Sequence, residues 1–181
     1  MKRLLILPIL ALALGACAIA PDRHDMMDMP WAVELNGYSS TDLMFAEMMI
    51  PHHQQAVVMS ELALERSTNP EVRALAEEIR SAQAPEIEQM KSWGATGDEH
   101  MGHTMQGMLT EQEIQDLEAS QGASFDRLFL VGMIKHHEGA IDMAQMVLAS
   151  NNADVRTLGE NIVSSQTAEI IRMRALLDAM P

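Results

Sequence analysis

The chain has 181 residues, and its 48% hydrophobic and 21% charged composition argues for one domain with a real core, against wholesale disorder or a polytopic membrane protein. A formal net charge of −14 excludes a phosphate-tracking nucleic-acid binder and favours cations as ligands, or simple solubility. The single Cys excludes an intrachain disulfide and a Cys-based zinc site, while Met occurs 17 times against an aromatic content of 3%.

Residues 1–16 read as an export signal. Met1-Lys2-Arg3 is a short basic stretch, and Leu4 to Leu14 is an apolar run too short to span a bilayer as a helix. The string Leu14-Gly15-Ala16-Cys17 resembles the bacterial lipoprotein signal, in which the Cys is lipidated after cleavage. The alternative is an ordinary secretory signal with an incidental Cys. The resemblance implies an exported protein anchored through Cys17 and in contact with the membrane only by its lipid. Ala18 in place of Asp points to the outer membrane of a Gram-negative envelope, facing the periplasm. Residues 17–38 have few helical signals and carry His24, Met26, Met27 and Met29; they read as a flexible tether.

The remainder, 39–181, is an internal repeat. Asp42, Phe45, Met49, Ile50, His52, His53, Ala56 and Met59 recur as Asp126, Phe129, Met133, Ile134, His136, His137, Ala140 and Met143, at an offset of 84 (136 − 52). Val72-Arg73, Ile79, Gln83, Glu86 and Met90 recur as Val155-Arg156, Ile162, Gln166, Glu169 and Met173, at an offset of 83 (166 − 83), so one residue is lost near the turn. The apolar and histidine positions of each copy are spaced by three and four, the signature of one helix face. Asn69 before Pro70 predicts an N-cap with Pro at the first helical position, and Asn151-Asn152 stands at the matching place. Each copy is therefore a helical hairpin, 39–93 and 124–181, and the two form an all-α four-helix bundle. Pro51 and Pro85 are expected to kink their helices. The connection 94–123 begins with Gly interleaved with His and Met, and Thr110-Glu-Gln-Glu113 predicts a capping box opening a short helix to about Ser120.

Two places carry chemistry. The repeated string Met-Ile-x-His-His-x-x-Ala-x-x-Met places His52, His53, Met49 and Met59 in one copy and His136, His137, Met133 and Met143 in the other. Gln83, Glu86, Gln166 and Glu169 reach the same core and are candidate supporting residues. Buried His, Gln and Glu are costly unless each finds a partner or a metal. The site is thus either a metal centre or a hydrogen-bonded network in which Glu86 and Glu169 hold His52 and His136. The second place is the loop His100-Met101-Gly102-His103-Thr104-Met105-Gln106-Gly107-Met108. Thioether sulfur suits Cu(I) or Ag(I), and imidazole suits both oxidation states of copper. Apolar Met has no packing reason to interrupt a Gly/His/acidic loop, so His100, Met101, His103, Met105 and Met108 read as metal ligands.

The duplicated Phe-x-x-x-Met-Ile-x-His-His-x-x-Ala-x-x-Met motif with a His/Met/Gly loop between copies resembles domain-of-unknown-function family 305, which includes the CopM-like periplasmic copper-binding proteins. The resemblance covers nearly everything from Ser39 onward. It implies a ferritin-like bundle, export and copper as the bound metal, with the eight His and Met motif positions as the matching ones. The carboxylate-rich set of di-iron bundles is absent. The expected function is copper binding for sequestration or transfer in the envelope, with no catalytic residue assigned. The alternatives are a ferritin-like metal-dependent oxidoreductase and a metal-free envelope scaffold.

Overall fold

The computed structural model describes residues 36–98 and 105–180. The signal peptide, Cys17, nearly all of the tether, and His100, Met101 and His103 lie outside the described residues. Among the described residues five α-helices follow one another: α1 (Ser40–Arg66), α2 (Pro70–Ser92), α3 (Glu111–Ala119), α4 (Gly122–Ala144) and α5 (Ala153–Asp178). A 3₁₀ turn, Gln145–Val147, separates α4 from α5. No described helix is long and apolar enough to cross a membrane.

Local chemistry sets the helix starts. Ser39 accepts from the Asp42 N–H and the Asp42 carboxylate accepts from the Ser39 N–H, closing a capping box on α1. Thr110 and Glu113 do the same for α3, as their spacing predicts. Asn69 and Asn152 cap α2 and α5 by accepting from the first free N–H groups, and Pro70 sits where no N–H is needed. Both turns share further detail. The N–H of each Asn donates to a Ser hydroxyl two residues back, Ser67 or Ser150. Arg73 and Arg156 each donate to the carbonyl of that same Ser, and Arg73 also reaches Leu64 O.

The copies differ where one residue is lost. In the first copy, α1 runs unbroken to Arg66, and Pro51 lies inside it without ending it; Pro85 likewise stays inside α2. In the second copy α4 stops at Ala144 and the chain winds through the 3₁₀ turn before Asn152. The tighter winding, about three residues per turn, accommodates the missing residue. Helix α4 also begins at Gly122, two residues before the expected start of the second hairpin.

The short turns fold α2 back along α1 and α5 back along α4, and α1 packs against α4 at the centre; α3 rests on α4. Two apolar clusters result. One gathers Phe45, Met49, Ile50, Met90, Trp93, Met143, Val147, Val155, Leu158 and Ile162. The other gathers Met59, Leu75, Ile79, Leu117, Phe125, Phe129, Leu130, Met133 and Met173. Along each long helix the residues of the two clusters are separated by a polar step: His52-His53 on α1, Gln83 to Glu86 on α2, His136-His137 on α4 and Gln166 to Glu169 on α5. These steps form a polar belt between the two clusters.

Candidate metal centre

The belt is built from the His-His dipeptides. Adjacent helical residues point about 100° apart, so the two histidines of each pair serve different neighbours. His52 turns to α4 and meets His136, ring centroids 3.8 Å apart and planes tilted by 40°. His53 turns to α2, where its Nε2–H donates to Glu86 Oε2 at 2.8 Å. His137 turns to α5 and donates to Glu169 Oε2 at 2.6 Å. The glutamates therefore hold His53 and His137, not His52 and His136, because only the second residue of each pair faces the hairpin partner.

His52 and His136 are held by backbone. His136 Nε2–H donates to His52 O at 2.8 Å, and His52 Nε2–H donates to Gln106 O at 3.2 Å. Carbonyl and carboxylate oxygens only accept, so each of the four rings carries its proton on Nε2. Each Nδ1 is then a bare lone pair, and all four are buried without a partner. Gln83 Oε1 and Nε2 and Gln166 Oε1 are buried without partners in the same belt.

All four histidines are fully buried. Burial first, then the neighbouring His53, lowers the pKa of His52 to about 3, with His137 adding to the effect. His136 is driven well below its ordinary value by burial, then by His52, His137 and His53. Both rings are neutral at physiological pH, the state in which imidazole is a Lewis base.

The connection is strapped across this centre. Glu47 accepts from the N–H groups of Thr96 and Gly97 at 2.8 and 2.7 Å. Eight residues along α1, the Gln55 amide donates to Leu109 O at 2.9 Å and accepts from Leu109 N–H at 2.7 Å. Between these anchors, Gln106 lends its carbonyl to His52 and donates from its side chain to Asp142 at 2.5 Å. Gly107, at φ +85°, lies against Gly139 of α4. Met105 packs on the first apolar cluster, and Met108 is half-buried.

The predicted candidates thus separate. His52, His53, His136 and His137 are brought together with Glu86 and Glu169. Met49, Met59, Met133 and Met143 are buried in the apolar clusters on either side. Met105 and Met108 lie on the strap. Among the described residues no three His, Cys, Asp or Glu side chains converge to hold an ion. The strap anchors Glu47, Gln55, Asp142 and Gly139 were not foreseen. One signal was present: Glu47, Gln55 and Asp142 stand at repeat positions where the other copy has Val131, Gly139 and Val58, so each polar anchor lacks a polar counterpart.

The model of the domain of unknown function DUF305 matches residues 42–177. The chain belongs to the DUF305 family. It is similar to two solved DUF305 structures. One, named as a secreted protein from Streptomyces coelicolor, is 33% identical over 77% of this chain and 93% of that one, with a TM-score of 0.70. The other, a fragment from Deinococcus radiodurans, is 31% identical over 77% of this chain and 97% of its own, with a TM-score of 0.69. It is also similar to CopM, solved in Cu(I)-bound, Cu(II)-bound and Ag-bound forms. The Cu(II)-bound form is 33% identical over 76% of this chain and 95% of CopM, with a TM-score of 0.66. No curated protein matches this DUF305 sequence.

Proposed function

We propose that this DUF305 protein is an exported copper-binding protein that sequesters copper or hands it on in the cell envelope. The observation that carries the reading is the strap: a connection rich in Met and His is tied to α1 at Glu47 and Gln55, and to the neutral His52 through Gln106. Anchoring both ends lowers the entropy lost when the segment closes around an ion. The likeness to CopM at 33% identity, in Cu(I), Cu(II) and Ag forms, supports the same metal class.

The donor set fits copper. His100, Met101, His103, Met105 and Met108 offer thioethers for Cu(I) and imidazoles for either oxidation state. The bundle, read as two ferritin-like hairpins, serves as the scaffold. A second, buried capacity rests on the four unpartnered Nδ1 lone pairs, with Met49, Met59, Met133 and Met143 as the nearby sulfurs; taking an ion there requires side chains to move, since no three His, Cys, Asp or Glu converge among the described residues. Gln83, Glu86, Gln166 and Glu169 would orient that set. Cys17 supplies the lipid anchor at the outer membrane.

The test is competition for Cu(I) against a chromophoric chelator, with His100 and His103 replaced by Ala and Met101, Met105 and Met108 by Ser. Loss of high-affinity copper in a folded variant is the expected result. Unchanged stoichiometry and affinity would remove the strap from the function. Copper found in protein purified from the periplasm without added metal would support the physiological role.

A further inference from the structure

Of the two equivalent buried aspartates of the repeat, one has an explained environment and the other does not. Asp42 and Asp126 are equivalent, and both are buried. Asp42 is satisfied by the capping box with Ser39. The position equivalent to Ser39 is Ala123, and α4 starts before it, at Gly122. Asp126 therefore has no cap to close. Its Oδ1 is buried without a hydrogen-bond partner, and the residue is only 4% exposed.

Asp126 lines a cleft of about 360 Å³ between the start of α2 and the end of α5. The nearby N–H groups of α2 do not serve it: Glu71 and Val72 N–H donate to Asn69, Arg73 N–H donates to Asn69 O, and Pro70 has none. The walls are apolar, from Pro70, Leu176, Ala179 and Met180, and Glu71 adds a second, exposed carboxylate.

A buried carboxyl group with an unfilled acceptor, beside the exposed carboxylate of Glu71, calls for a hydrogen-bond-donating cation. Two carboxylates do not meet the six to eight oxygen ligands that calcium takes, and magnesium demands near-octahedral oxygen coordination. Methylene-lined walls suit an alkyl chain instead. We propose that this cleft binds a short alkyl diamine or polyamine, one ammonium donating to Asp126, the chain lying on Leu176 and Met180, and the second ammonium facing Glu71. The acidic chain, at −14, raises the local concentration of such polycations. This site is independent of the copper reading.

The experiment is a titration of the purified protein with 1,5-diaminopentane, followed by amide ¹⁵N shifts, with 1,5-pentanediol as the uncharged control. Saturable shifts at Glu71, Val72 and Ala123 are expected with the diamine and not with the diol. Asp126→Asn should weaken binding about tenfold or more, since hydrogen bonds to charged groups are worth that factor. Ala123→Leu, made at an exposed helical position, should block the cleft while leaving Asp126 in place, and Asp42→Asn should leave binding unchanged. Absence of saturable shifts, equal affinity in folded Asp126→Asn and Ala123→Leu, or the same shifts produced by Ca²⁺ would overturn the proposal.

Discussion

Gly139 of α4 stands against Gly107 of the strap so closely that a Cβ on Gly139 would lie 2.2 Å from Gln106 O and 2.8 Å from Gly107 Cα. The strap reaches His52 only because neither residue has a side chain. Gly139→Ala must push the strap off α4, and the expected loss is about 1–3 kcal/mol, typical of overpacking. Urea unfolding measures it. Amide exchange at Gly107 and Met108 should speed up in the same variant, and unchanged exchange there would contradict the account.

Gln55 makes two hydrogen bonds to one residue, Leu109. Gln55→Ala leaves the Leu109 N–H and C=O without partners and should cost about 1–3 kcal/mol. Gln55→Glu keeps the acceptor and loses the donor, so it should fall between. Amide hydrogen exchange at Leu109 is the readout: protection should fall in the order Gln, Glu, Ala.

The paired glutamates predict a symmetric result. Glu86→Ala and Glu169→Ala each strand a buried Nε2–H, on His53 and His137, and each should destabilise by about 1–3 kcal/mol. Glu→Gln at either position retains an acceptor and should cost less. A large difference between the two alanine variants in denaturant midpoint would show that the belt is not functionally symmetric.

Acid should weaken the fold through the belt. His52 and His136 have folded pKa values below the ordinary 6.5, His52 at about 3. Between these values the unfolded chain binds protons that the folded chain refuses, so stability is full above about pH 6.5 and falls as pH drops toward 3. The two rings face each other, and the next titratable groups are His53 and His137, themselves bonded to Glu86 and Glu169. Urea midpoints at pH 7.5 and 5 should differ clearly, and His136→Phe, which replaces one of the two titrating imidazoles by a ring that binds no proton, should reduce that difference.

Much of this was legible in the sequence because the informative contacts are short-range. The caps at Asn69, Thr110 and Asn152 act within three residues, and each is in place; the capping box of Ser39 with Asp42 is equally local but was not read. The 84-residue repeat named His52, His53, His136 and His137 as equivalent core positions, and all four are buried in one belt. The assignment of Glu86 and Glu169 to the wrong histidine of each pair has a simple cause. Periodicity shows that a residue lies on a buried face, but a 100° step within that face decides which neighbour it meets.

The helical hairpins, the caps at Asn69, Thr110 and Asn152 and the matched halves follow from the sequence alone, since they depend on backbone hydrogen bonds and spacings of three and four. The tilted contact of His52 with His136, the division of the belt between backbone and glutamate partners, and the seating of the strap on Gly139 were decided by the tertiary structure. Those contacts join positions 32 to 84 residues apart. Their geometry depends on how α1 and α4 cross and on a close backbone approach, neither of which leaves a local periodic mark.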